Sequence, residues 1–337
     1  MYDFPRRRDR SRNLLLLLLL LTALFFWSCT TGQYRLTAEQ ILLVLRGTPQ
    51  SPMDSVIFRE VRVPRNLTAG ICGAALASAG FLYQELFRNP LASPDLLGVS
   101  GGASAGAICA ILFGTGGIAE KQLFSFTGGL TVVLCSVLLS SAIGGNRYFN
   151  LVISGIILSA LTNSAIMALK YLADPTSELA AIDYWLMGSY SLAGWSDFRI
   201  CAPVILTCLT VLFLLRYRIK VLTLGPEEAQ TLGIPVRSTK RICILCSTLL
   251  VTASICISGI VSWVGLIVPH LTRTLFGSDF EHNLAETALL GAILTLAADT
   301  CARNLTASEL PISILTTAFG AVCLAVFLIS ARRTADH

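Results

Sequence analysis

The sequence predicts an all-α polytopic membrane protein with about ten transmembrane helices and both termini in the cytoplasm. Three observations carry that prediction. Only 13% of the 337 residues are charged while 54% are hydrophobic, against roughly 25% charged in soluble chains, and the mean hydropathy is +0.71. Apolar runs close to the ~20 residues that cross a hydrocarbon core recur along the whole chain. Those runs lack the two-residue alternation of a barrel, which leaves helices as the structures able to satisfy their own backbone in lipid.

The runs fall at about 13–31, 66–86, 96–114, 123–143, 149–170, 198–215, 242–259, 262–276, 285–302 and 310–330. Short connections between them give a single transmembrane domain over 1–337 with no soluble module. The first run, "RRRDRSRNLLLLLLLLTALFFWSC", imitates a lipoprotein signal with its basic start, Leu-rich core and Cys29. Phe26 and Trp27 are bulky where cleavage needs small residues, so the run is read as an uncleaved first span. The eighth run is short and its edges are poor.

Ten spans put both ends on one side. The N-terminal Arg6, Arg7, Arg8, Arg10 and Arg12 then share the cytoplasm with Arg88, Arg147, Arg332 and Arg333 and with the cluster Arg216, Arg218, Lys220, Arg237, Lys240 and Arg241. This agrees with the positive-inside rule, and it places Asp54 outside and Glu228 inside. Residues 32–65 break the rule: Arg35, Arg46, Arg59, Arg62 and Arg65 fall on an outer loop. Two readings stay open, a solvated loop balanced by Glu39, Asp54 and Glu60, or a basic rim that docks an acidic partner. The net charge of +5 reflects topology signals and does not indicate nucleic-acid binding. The eleven cysteines lie almost all in apolar runs, where Cys acts as a small hydrophobe. Cys243 and Cys246 have CxxC spacing but no second pair, so neither a zinc site nor a disulfide framework is expected.

Between the second and third runs, Pro90 and Pro94 prevent a continuous helix and make 89–94 a rigid turn. A helix then starts at Gly98, with Gly101, Gly102, Ala103, Ser104 and Gly106 as a surface almost free of side chains. Such a surface serves close helix packing or the wall of a conduit; Gly101, Gly102 and Ser104 are the candidate lining residues. His270, beside Pro269, is either satisfied locally or a metal or proton ligand. Asp299 is an intramembrane carboxylate, with Arg303 one helical turn away as an i,i+4 partner near the outer face. "DYWLMGSYSLAGW", 183–195, is too interrupted by glycine to span and reads as a short outer-surface helix.

Residues 216–241 are the longest polar stretch of the second half and contain a short amphipathic helix framed by positive charge. No G-x-x-x-x-G-K-[ST] phosphate loop occurs anywhere, and the spans carry no chain of carboxylates of the kind a proton-driven pump uses. Any transport by this chain would take its energy from another subunit.

At these residues the sequence resembles the permease subunits of ATP-binding-cassette importers for iron–siderophores, haem and cobalamin, the FecCD-type family. The resemblance rests on "RVPRNLTAGICGAALASAGFLYQELFRNPLASPDLLGVSGGASAG", "DYWLMGSYSLAGW", "LGPEEAQTLGIPV", "SGIVSWVGLIVPHLTR" and "ADTCARNLTASELPISILTTAFGA", in family order from about residue 60 onward. It implies a bacterial inner-membrane permease of an ATP-driven importer for a ferric-siderophore-type chelate, with cobalamin or haem as the alternative cargo. It also implies three partners: a second copy or close homologue, a cytoplasmic ATPase dimer that binds ATP and Mg, and an external substrate-binding protein. The chain itself would bind no cofactor or metal and hold no catalytic residue. Gly225, Pro226, Glu227, Glu228, Leu232 and Gly233 correspond to the ATPase-coupling segment, Arg62, Arg65 and Arg303 to the docking arginines, and Asn89 and Leu91 to a cytoplasmic gate. "GGNRYFN", 144–150, departs from the small hydroxyl residues of some relatives, which leaves the gate residues there undefined. An ion-coupled secondary transporter is the reading from a different class.

Overall fold

The computed structural model describes residues 7–115, 117–143, 147–306 and 308–335. It is helical throughout: α1 (Arg7–Thr30), α2 (Ala38–Leu45), α3 (Pro52–Val56), α4 (Val63–Leu86), α5 (Val99–Phe113), α6 (Ile118–Ala142), α7 (Arg147–Leu172), α8 (Glu178–Met187), α9 (Trp195–Leu222), α10 (Pro226–Thr231), α11 (Val236–Ser258), α12 (Val264–Phe276), α13 (Phe280–Asn304) and α14 (Ile312–Ala335). Among the described residues, seven helices are long and apolar enough to cross a membrane, and three shorter apolar ones are Val99–Phe113, Val264–Phe276 and Ile312–Phe327. They follow the order of the ten apolar runs. Helices α9 and α11 extend past their apolar runs into Arg216–Lys220 and Arg237–Arg241, because charged residues end a span without ending a helix.

The centre is α4, which packs against α9, α11, α12 and α13. Its contacts are made by residues without bulk. A Cβ on Gly80 would overlap the carbonyl of Gly265 in α12, and one on Gly73 would overlap Gly291 and Thr295 in α13. Small residues at a helix crossing let backbones touch where lipid offers no hydrophobic drive. The core is correspondingly rich in Ala, Gly, Ser and Thr, with Phe81, Leu82 and Tyr83 of α4 fully enclosed.

Three expectations change. Residues 32–65 are not a solvated loop. Thr37 and Gln40 form a reciprocal capping box that starts α2, and α3 runs through a π-turn at Ile57–Arg62 into α4, giving one helix over Pro52–Leu86. Pro64 cannot donate in the ordinary ladder, and the π-turn sets the preceding Val63 N–H on Phe58, five residues back. Asp54 is buried, accepting from Tyr34 Oη (2.7 Å) and Gln40 Nε2 (3.4 Å) instead of balancing an arginine. The short helix expected over 183–195 lies earlier, as α8, and stops at Gly188 (φ +72). There the chain leaves the helix to pair with two other breaks: Ser189 donates to Ser258 (2.7 Å) and Ile312 to Gly188 (3.0 Å). Lastly, the small-residue face of α5 is a packing face. A Cβ on Gly102 would press on Gly128 and Val132 of α6, one on Gly101 would meet Thr162 of α7, and Ser104 is fully buried. Gly101, Gly102 and Ser104 thus face neighbouring helices of the same chain.

Ile41 and Val44 of α2, just before the connector to α3, pack in a cluster with Val63 at the first turn of α4, and α10 packs on Leu86 at its last turn. Single cysteines at exposed Gln50 and exposed Glu228, in an otherwise Cys-free variant, should label with an impermeant reagent from opposite sides of the membrane. Labelling from one side would overturn the span assignment.

Candidate functional sites at the two ends of the bundle

At one end, the three arginines singled out in the sequence come together, but inside the protein. Arg62, Arg65 and Arg303 are 6%, 4% and 2% exposed. Asp299 lies between two of them: Arg65 Nη2 is 2.9 Å and Arg303 Nε 3.2 Å from its oxygens. Arg65 also pairs with Glu309 at 3.0 Å. The i,i+4 pair expected from sequence is therefore one edge of a larger network, in which Ser28 of α1 and Asn66 of α4 accept from Arg303. Arg62 lies over Gly32, whose φ of +134° and missing side chain leave room for the guanidinium, and donates to the Tyr34 carbonyl at 3.3 Å. Among the described residues no carboxylate pairs with Arg62. Its Nε and the Nη1 of Arg303 have no partner. Three guanidiniums thus face two carboxylates, and the exposed rim expected from sequence is a buried cluster with surplus positive charge.

At the other end, α10 stands out from the bundle. Gly225 (φ +147) opens it and Gly233 (φ +75) closes it. Ile234 donates to Ala229 and Gly233 to Gln230, both at 2.9 Å, which is the paired closure that requires a left-handed residue after the last turn. Ala229, fully buried, joins Leu86, Val221, Leu222 and Val236, with Ile234 packed against them. Pro226, Glu227, Glu228 and Leu232 remain exposed, Leu232 by 57%. Ile234, two residues further on, turns inward. Arg218 of α9 and Arg237 and Arg241 of α11, the helices before and after α10, are exposed.

The Asn89–Leu91 turn lies next to this region. Asn89 Oδ1 accepts from the Leu91 N–H (2.9 Å), and Ala92 donates to the Asn89 carbonyl (3.0 Å). This side-chain turn fixes the segment between the two prolines and leaves Leu91 57% exposed. His270 packs on Phe327 at 4.9 Å and reaches the Pro90 carbonyl, while its Nε2 has no partner. Arg273 binds Glu85 (3.1 Å) and Gln84 of α4. Residues 144–146 of the other gate segment lie outside the described residues.

Sequence reading missed a second charged group near α10. Lys220 bridges from α9 to Asp279 (2.8 Å) and Glu281 (3.2 Å) at the start of α13. Burial pushes the Asp279 carboxyl up, but Lys220 and His282 outweigh it and hold it below the usual range. The "GSDFEHNLAE" run carries these residues at helical spacing; its partner Lys220 lies 59 positions away and leaves no local signal. Among the described residues the CxxC cysteines gather no such set: Cys246 faces Cys208 of α9.

A bundle of this kind, with a small capped helix at one end, has the make-up of a polytopic helical membrane protein. The sequence model of the FecCD transport family matches residues 18–330, and the chain belongs to that family, the permease subunits of ABC importers. It is 36% identical over 309 residues to the molybdate import permease MolB of Haemophilus influenzae, covering 90% of both chains. It is 38% identical over 271 residues to the hemin transport permease HmuU of Yersinia pestis, 78% of this chain and 80% of that one. The ferric enterobactin permease FepG of Escherichia coli is 33% identical over 91% of this chain and 92% of its own. Among solved structures, a metal-chelate type ABC transporter in an inward-facing conformation superposes with a TM-score of 0.87 at 34% identity, over 95% of this chain and 99% of that one. Members of this family work with a partner permease, an ATPase and a binding protein and are not themselves enzymes.

The buried cluster predicts a specific non-additivity. Arg65→Ala should destabilise the protein by about 3–5 kcal/mol, since among the described residues it leaves the buried Asp299 with Arg303 as its one ion-pair partner and half-buried Glu309 with none. Joint replacement of Arg65 by Met and Asp299 by Leu should cost clearly less than the two single changes summed. Thermal unfolding of the four proteins in detergent checks it, and additive losses would rule out a coupled network.

Proposed function

We propose that this chain is the membrane-spanning permease of an ATP-driven importer that carries a ferric-siderophore-type iron chelate into the cytoplasm of a bacterium. Its place would be the inner membrane, both termini inside. The observation that carries the reading is the likeness, over nearly its whole length, to a transporter of metal-chelate type, joined by a ferric enterobactin relative. Haem or cobalamin is the alternative cargo within the same chemistry. A molybdate-type oxyanion is the second reading, favoured by the 36% identity to MolB. The cognate binding protein, tested against ferric siderophores, haem, cobalamin and molybdate, should select a ferric siderophore. Selection of molybdate would overturn the chelate reading. Uptake should also stop when the separate ATPase subunit is disabled; persistence would favour an ion-coupled carrier.

In this reading α10 is the coupling element. Gly225 and Gly233 set its two turns, Pro226, Glu227 and Glu228 form its exposed first turn, and Leu232 inserts into a cleft of the ATPase. A second copy of the chain completes the pathway, with the Asn89–Leu91 turn as its cytoplasmic gate. The binding protein docks over the Arg62, Arg65 and Arg303 end, where surplus positive charge meets its acidic lobes. Arg62 is the arginine best placed to engage it, because no internal carboxylate competes. Two variants check these roles. Leu232→Asp should insert normally yet weaken ATPase association or uncouple hydrolysis from uptake. Arg62→Met should slow binding-protein association and flatten its salt dependence, because it removes surplus charge whose field steers an acidic partner even from beneath the surface; unchanged kinetics would confine Arg62 to a structural role.

A further inference from the structure

A cavity of about 920 Å3 opens between α1, α9 and α13 at the α10 end of the bundle. One wall is the start of α13. Asp279 caps that helix by accepting from the Glu281 N–H (3.0 Å), and Glu281, His282 and Glu286 follow within two turns. Donor atoms of Asp279, Glu281 and His282 all lie within 4.8 Å of one another, with His282 Nδ1 3.0 Å from Asp279 Oδ2. A cation already sits before the two carboxylates, and it is the protein's own Lys220 ammonium, at 2.8 and 3.2 Å.

An independent observation comes from Glu286, which lines the same cavity and is 1% exposed. Its Oε1 accepts from Arg10 Nε at 3.3 Å, but among the described residues its Oε2 has no donor. Glu286 stands one turn beyond His282, on the same face of the helix. A buried carboxylate oxygen left without a donor calls for one, and a hydrated ion in the cavity supplies it.

We propose that this cavity binds a divalent first-row transition ion, ligated by Asp279, Glu281 and His282 in exchange for Lys220, with Glu286 accepting from the ion's water. The donor set decides the class. One imidazole and two carboxylates without a thiolate suit Mn2+, Fe2+ or Zn2+, whereas Mg2+ and Ca2+ take oxygen alone and Cu+ takes sulfur. The charges also fit: two carboxylates face one ammonium now, and a divalent ion neutralises both. Displacing Lys220 frees the end of α9 five residues before Gly225, so the ion acts on the segment next to α10. That consequence rests on the transport reading; the binding does not.

The test is a titration of the full-length permease in nanodiscs, purified without a histidine tag, with Mn2+ and Zn2+ followed by calorimetry. One site per chain is expected. His282→Ala and Glu281→Gln, each alone, should weaken it at least tenfold. Lys220→Met should tighten it severalfold, because it removes the internal competitor. Unaltered affinity in both ligand variants, or weakening in Lys220→Met, would overturn the proposal. Equally tight binding of Mg2+ would overturn the assignment of ion class. Neither ATPase nor binding protein is present, so the result stands apart from the transport reading.

Discussion

In lipid, helices gain nothing from excluding water, and their association relies on close packing and on polar contacts. In this protein both converge on α4. Its glycines meet the backbones of α12 and α13 at Gly265 and Gly291, so the three helices approach as closely as main chains can. Its first turn carries Arg65, bound to Asp299 of α13, and its last turn carries Glu85, bound to Arg273 of α12. The helix is thus clamped at both ends by charge and along its length by shape. A larger side chain at either glycine would force the backbones apart and stretch both ion pairs, so neither kind of contact survives without the other.

The buried charges raise an energetic question of their own. A pair withdrawn from water stabilises only where geometry is good and the remaining donors are satisfied. Asp299 meets that condition, with a forked contact from Arg65 and a second guanidinium from Arg303. Arg62 does not, since its Nε is buried without an acceptor. The cluster therefore holds α1, α4 and α13 in register at the cost of one under-compensated cation. On the transport reading, that uncompensated charge is what an acidic partner meets.

What the sequence reveals and what it hides divide along a physical line. Span positions depend on the length of apolar runs, and these are legible. So are the Asn89–Pro90 turn and the glycines at 225 and 233, because proline and left-handed backbone are local constraints. Burial of the arginines is not legible. Arg65 and Asp299 lie 234 positions apart, and hydropathy statistics read any arginine beside a span as solvated. The small-residue face of α5 is ambiguous for a related reason: glycine spacing shows that something approaches closely without saying what. Leu232 and Ile234 illustrate the same limit at shorter range. Both are apolar on a six-residue helix's far end, and the left-handed Gly233 between them sends one outward and one inward.

At the α10 end, the coupling helix of the proposed reading and the turn at 89–91 meet at Leu86. It is the last residue of α4, three positions before Asn89, and it packs in the cluster that holds Ala229 of α10 with Val221 and Leu222 of α9. On the proposed reading, a push on the exposed face of α10 passes through Ala229 and Ile234, which pack against that cluster. The push reaches Leu86, and beyond Leu86 the chain is the proline-bounded turn that ends at exposed Leu91. Pro90 and Pro94 cannot lengthen the helix to take up the displacement, so the turn moves as a unit. Packed elements with discrete arrangements carry motion in this way. On the proposed reading, a partner gripping Leu232 and a gate at Leu91 therefore share one rigid body, and Lys220, tied to Asp279 and Glu281, anchors α9 against the next helix pair.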